Sequence, residues 1–333
     1  MEGRISISDD GLLDACPVSR WAPSTLDQPC FQASVRNKKP AIITHGAESW
    51  FKVSESNGLV ADIVSTVESC DVEMLTALDG RNFLRQCLCK SRVVGLKGGL
   101  LSILSGDRKH RDDTDQSLAQ QPDDALPASA LERRYIRIYI DSHRKVLEKI
   151  DLSSLVHLAL DPRETDHKNT SEERRDLSDE STIVEPNDTI KPFKLKNIGL
   201  WTSSEGCVTP LHFDLCHGFL AQIVGKKTFL LASSSESALL RYWRNGNSAS
   251  NQNGTTSPVD LGLWLDGDVK ERRKYPLIDE VAWFIASLGP GDILYTPPGW
   301  WHYVISDTSS VSVLIPFDPL PHRETLPTNV LTA

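Results

Sequence analysis

Short apolar runs separated by turn residues recur through the C-terminal half of the chain. From residue 197 they read NIGLWTSS, VTPLHFDL, GFLAQIVG, KTFLLAS, AWFIASLGPGD, ILYTPPG, WHYVISD and SVSVLIPF. With Gly-Pro-Gly-Asp at 289–292 and Pro-Pro-Gly at 297–299 as turn punctuation, this pattern predicts many short strands, and hence a sandwich or barrel. Upstream, RRYIRIYID at 133–141 alternates cleanly, with Ile136, Ile138 and Ile140 on one face and Tyr135, Arg137 and Tyr139 on the other, so a strand is predicted there. A short buried strand is expected over Ala41–Thr44, ahead of a glycine turn. The spacing of Leu59, Ile63 and Val67 predicts a helix over 58–69. RNFLRQCLCK (81–90) and GGLLSIL (98–104) read as further short helices. Three polar stretches interrupt the pattern: 106–129 as a linker, 161–188 as a charged surface insertion, and 244–260 as a long loop. No internal repeat is apparent.

Within one of the predicted strands, His212 and Asp214 stand two positions apart with Phe213 between them. On a strand, residues i and i+2 point to the same side, so the imidazole and the carboxylate project together while Phe213 faces the opposite layer. His302, on a late strand, offers a third ligand. Two imidazoles and one carboxylate on one face of a metal, with other positions open, form the arrangement of non-haem Fe(II) oxygenases. The bland alternative for His302 is a core histidine bonded to a backbone carbonyl. His217 lies at an odd offset from Asp214 and is expected on the other face. Histidines 45, 110, 143, 157, 167 and 322 have no partner at ligand spacing. Lys227 reads either as functional or as a solvated neighbour of Lys226. Arg137 either reaches a substrate from the polar-aromatic face or pairs with a surface acid. Trp300 and Trp301 are expected in core packing, and Asp292 in a turn.

The 333 residues supply ample apolar material for a core, and a formal net charge of −9 argues against a broad nucleic-acid-binding face. The N-terminal stretch has no apolar segment suited to a signal peptide, and no run could span a bilayer. Seven cysteines at irregular spacing, with no C-x-x-C, fit reduced thiols. These features together predict a soluble intracellular protein, in nucleus or cytoplasm, with no membrane partner and no DNA-reading module.

Three stretches carry a resemblance to a known family: GCVTPLHFDLCHGFLAQIVGKKTFLL (206–231), YPLIDEVAWFIASLGPGDILYTPPGWWHYVI (275–305) and, more weakly, KPAIITHGAESW (39–50). The chain resembles the JmjC, or cupin-like, Fe(II)- and 2-oxoglutarate-dependent oxygenases. Within them it looks most like the small hydroxylase branch that includes the asparaginyl hydroxylase of the hypoxia pathway and the wybutosine-pathway tRNA hydroxylase. The resemblance implies a mainly β fold: a double-stranded β-helix, or jelly-roll, over roughly 195–318, flanked by N-terminal helices. It divides the chain into an N-terminal segment (1–37), an α/β flank (38–105), a polar linker (106–130), the cupin-like domain (131–320, with a charged insertion at 161–190) and a C-terminal tail (321–333).

Carried over residue by residue, the family pattern makes His212, Asp214 and His302 the metal triad. Lys227 and Thr209 match the groups that hold the distal carboxylate of 2-oxoglutarate. Tyr135 matches a tyrosine that completes that pocket, with Tyr139 as a rival on the same face. The implied cofactors are Fe(II), 2-oxoglutarate as co-substrate, and O2. The implied reaction is hydroxylation of a protein side chain, with RNA as the alternative substrate, releasing succinate and CO2. Two other readings stay open: lysine demethylation, and a non-catalytic metal-binding cupin acting as a binding module. The second is kept open by Gly218 and Leu314, which stand where several hydroxylases carry polar residues. The helical pair through which some relatives dimerise has no match after the last strand, so a monomer is expected.

Overall fold

The computed structural model describes residues 5–6, 14–22, 39–51, 58–77, 89–105, 133–140, 143–151, 155, 193–195, 197–241 and 255–319. The predicted linker, the charged insertion and the C-terminal tail lie outside the described residues. In chain order the strands are β1 (Ile5–Ser6), β2 (Asp14–Pro17), β3 (Arg20–Trp21), β4 (Ala41–Ile43), β5 (Asp71–Ala77), β6 (Cys89–Gly95), β7 (Arg134–Tyr139) and β8 (Phe193–Leu195). They continue with β9 (Gly199–Ser203), β10 (Val208–Phe213), β11 (His217–Val224), β12 (Lys227–Ala232), β13 (Trp283–Leu288), β14 (Ile293–Thr296), β15 (Trp301–Ser306) and β16 (Ser310–Pro319).

They form two facing sheets. One has six strands in the order β1-β2-β13-β12-β15-β10; the other runs β3-β4-β14-β11-β16-β9-β7-β5-β6, with β8 attached to β16. This is the expected jelly-roll. Leu220, Phe229, Leu231, Leu294 and Val304 pack between the sheets as the interior cluster. The outer face of the larger sheet is covered by the predicted helices, observed at Gly58–Thr66 and Leu96–Leu104. Their Ile63, Leu96, Leu100 and Ile103 meet Ile136, Ile138, Leu200 and Val313. A third cluster, including Phe213, Trp264, Tyr275 and Trp301, covers the outer face of the smaller sheet. The alternation predicted for 133–141 is present: Ile136 and Ile138 are buried under the helices, while Arg137 and Tyr139 are exposed.

Three local expectations are corrected. The helix predicted over 81–90 does not include its last two residues, since Cys89 and Lys90 open β6; residues 81–88 are not described. β6 shows no apolar alternation because most of its side chains are exposed and only β5 pairs with it among the described strands. The loop predicted over 244–260 is not free at its end: Phe213 N donates to Thr255 O at 2.9 Å and Ser257 N to Leu211 O at 2.8 Å, binding 255–257 to β10. The N-terminal segment, unplaced by sequence, contributes β2, which pairs in parallel with β13. Arg20 then fixes it, donating to Asp292 Oδ2 at 2.6 Å and Ser287 O at 2.9 Å. Asp292 is thus a turn residue that also accepts from Gly289 N at 3.0 Å.

Candidate metal and co-substrate site

β10 and β15 are antiparallel neighbours with His212 directly opposite His302 and Phe213 opposite Trp301. Opposed residues share a face, so the two histidines turn into the barrel while Phe213 and Trp301 turn out of it. The outward pair meets edge to face with ring centroids 4.8 Å apart, and Trp301 Nε1 donates to Ser237 Oγ at 3.0 Å. This anchoring of the intervening residues accounts for Phe213 standing between His212 and Asp214.

The register slips between Thr209 and His212: Thr209 opposes Val304 and His212 opposes His302, so two residues of β10 face Tyr303 alone. That is a β-bulge, and it contains Pro210, a residue compatible with a bulge because it has no N–H to offer the ladder. The extra residue lets Thr209 and His212, at an odd separation, line the same cavity. The bulge also presents the Pro210 carbonyl to His212 Nδ1 at 2.8 Å. His302 Nδ1 likewise meets Trp300 O at 3.0 Å. A carbonyl only accepts, so each Nδ1 carries the hydrogen and each Nε2 is the ring atom left to meet a metal. Burial, and then the neighbouring His302, hold His212 down at about 4, so it is neutral near pH 7. Asp214, half-exposed, places its Oδ2 3.9 Å from His302 Nε2. One ligand atom from each of His212, Asp214 and His302 lies within 4.8 Å of the others, a spacing that suits a single metal ion. His217 is turned away, bonded through Nδ1 to Tyr295 Oη at 2.8 Å and stacked on Phe317.

The cavity runs inward from this cluster between the sheets. Leu220, Phe229, Val304 and Leu314 supply apolar walls, and Lys227 and Thr209 supply polar groups displaced along the strands from the two histidines. Lys227 is only 3 % exposed. Burial lowers its ammonium to about 8. Among the described residues no carboxylate pairs with it. The titratable side chain nearest in effect is Cys207, whose thiol burial pushes up to about 11, leaving it uncharged near neutrality. An unpaired buried ammonium facing a cavity suits an anionic ligand. The donor set therefore fits both a divalent metal at one end and a carboxylate at the other.

Tyr135 does not line the cavity. It is buried beside Ala77 and Cys207, edge to face with Trp201 at 6.3 Å between centroids, and burial pushes its phenol up. Tyr139, its rival, is 54 % exposed. Gly218 and Leu314 do line the cavity, as do Trp201 and Thr296, which sequence reasoning left out. The available signal for Trp201 was the Gly199-x-Trp201 spacing, which places the indole over a residue with no side chain.

Comparison with known proteins follows the same lines. Residues 27–322 match the family described as cupin-like domain. The chain belongs to the cupin-like family. Within it the curated relatives are JmjC proteins. One is Jumonji C domain-containing protein 5 of Drosophila melanogaster, 36% identical over 117 residues, which are 35% of this chain and 26% of that protein. Another is lysine-specific demethylase JMJ30 of Arabidopsis thaliana, 36% identical over 121 residues, or 36% of this chain and 25% of the relative. The human tRNA wybutosine-synthesizing protein 5 is 34% identical over 119 residues, 36% of this chain and 33% of the relative. The matched part thus spans a quarter to a third of the length of these relatives. This cupin-like chain therefore has the family and the fold that its motifs implied.

Proposed function

We propose that the chain is an Fe(II)- and 2-oxoglutarate-dependent oxygenase that hydroxylates a protein side chain, with release of succinate and CO2. The observation that carries this reading is the pairing of two imidazole Nε2 atoms and a carboxylate at one end of a cavity with an unpaired, buried ammonium displaced along the strands. His212, Asp214 and His302 would hold the iron, with the Pro210 and Trp300 carbonyls fixing the two rings in the ligating tautomer. Bound there with 2-oxoglutarate, the iron would supply the activation of O2. Lys227 and Thr209 would hold the distal carboxylate by charge-assisted and hydroxyl hydrogen bonds. The walls of Leu220, Phe229, Val304 and Leu314 would keep water away from the chelated end. Tyr135, behind Trp201, would support the wall without touching the co-substrate.

The relatives named as demethylases favour a second reading, in which the oxidised C–H belongs to an N-methyl group of lysine. The two readings separate by product. Purified chain with Fe(II), 2-oxoglutarate and a peptide digest of a cell extract is expected to give succinate and peptides that gain one oxygen atom, without formaldehyde. Formaldehyde in step with succinate would assign the demethylase reading. The absence of succinate in metal-loaded protein would assign a binding module.

A further inference from the structure

Two glycines stand in the strands that wall the cavity, Gly199 on β9 and Gly218 on β11. Glycine inside a strand weakens it, unless a close approach requires the missing side chain. At Gly199 the reason is visible: an added Cβ would lie 2.5 Å from Trp201 Nε1, so the indole occupies that space. At Gly218 no such reason exists among the described residues. Its φ is outside the left-handed range that only glycine adopts freely. β11 is paired on both sides there, with Thr296 and Pro316 opposite Gly218. An added Cβ would meet nothing nearer than Leu314 Cδ1 at 3.6 Å, an ordinary van der Waals contact. Leu220, two residues on and so on the same face, lines the cavity, and so does Gly218 itself.

We propose that the space over Gly218 is a ligand subsite that accepts an alkyl branch on the 2-oxo dicarboxylate held between the triad and Lys227, and that Gly218 and Leu314 set this tolerance. The inference rests on the oxygenase reading above. A 2-oxo dicarboxylate places its charged ends at the two polar ends of the cavity and its methylene chain between the apolar walls. Gly218 is the second residue of β11, just after the turn that follows Asp214, so the free space flanks the chelating end of that chain. The surface facing it, Leu314 Cδ1, is apolar and suits a methyl group on the carbon next to the keto group.

Calorimetric titration of the full chain, with Mn(II) in place of Fe(II), tests this with 2-oxoglutarate and 3-methyl-2-oxoglutarate. The natural chain is expected to bind the two within about threefold, and Gly218→Ala to shift that ratio by about tenfold against the methylated ligand, the effect of one misplaced methyl in a fitted pocket. The thermal midpoint of Gly218→Ala is expected at or above that of the natural chain, since alanine is the better strand residue and the space is open. The inference is overturned if the natural chain rejects the methylated ligand, if Gly218→Ala weakens both ligands alike, or if its midpoint falls. Failure of the natural chain to bind 2-oxoglutarate at all would remove the oxygenase reading itself, and the inference with it.

Discussion

Asp214→Ala is expected to leave a folded protein that retains no divalent metal after gel filtration and turns over no 2-oxoglutarate. The carboxylate is half-exposed and follows the end of β10, and the residue's backbone carbonyl accepts from Gly299 N at 2.9 Å, a bond alanine keeps. Its loss should change stability by no more than about 0.5 kcal/mol, the usual range for a surface substitution. Removing an outer-shell partner of a metal ligand costs about 10–100-fold in affinity or activity, so removing a ligand itself should cost more. His212→Ala removes a ligand too, but it also empties a buried position and strands the Pro210 carbonyl, so Asp214→Ala is the cleaner test. Metal content and a thermal melt on the same sample decide the matter. Loss of the fold, rather than of the metal, would make the pair structural.

Lys227→Met is expected to weaken co-substrate binding sharply and at the same time to raise stability near neutral pH. Lys227 has no anionic partner among the described residues, and burial holds its ammonium at about 8 against an ordinary value of 10.5. Below pH 8 both folded and unfolded chains carry the proton, and folding bears the full cost of burying the charge. Between about 8 and 10.5 the unfolded chain binds more protons than the folded one, so stability rises with pH through that window. The cost at pH 7 is on the order of 3 kcal/mol. Methionine has a similar length and no charge, so the variant should melt at higher temperature and lose the pH-dependent rise. Losing a hydrogen bond to a charged group should weaken 2-oxoglutarate binding by roughly a hundredfold. A variant that melts lower than the natural chain would mean that Lys227 is paired, and that its ammonium is not reserved for a ligand.

The metal cluster was legible because strand periodicity is strict. Once β10 was recognised as a strand, the two-residue offset put His212 and Asp214 on one side, and the odd offset put His217 elsewhere. The boundaries of the barrel strands were marked by Gly and Pro turns. Three things depended on partners that no local pattern encodes. The bulge at Pro210 exists only relative to β15, yet it brings Thr209 into the cavity and fixes His212. β6 carries exposed side chains on both faces, so it left no apolar period to read, and its first residues were read as the end of a helix. β2 and β3, at four and two residues, are too short for any period and are defined by what they pair with. Tyr135 was read as a pocket residue from a short motif, but it packs on Trp201, and it is Trp201 that lines the cavity.

An assembled site for ferrous iron and a 2-oxo acid can be tested without knowing the substrate. Under anaerobic conditions, 2-oxoglutarate would be added to protein loaded with Fe(II) while the visible spectrum is followed. A weak charge-transfer band should appear, be lost in His302→Ala, and weaken in Lys227→Met at equal ligand concentration. Folded protein that holds Fe(II) and gives no band at saturating 2-oxoglutarate would contradict such a site, leaving a metal-binding cupin whose cavity serves another ligand.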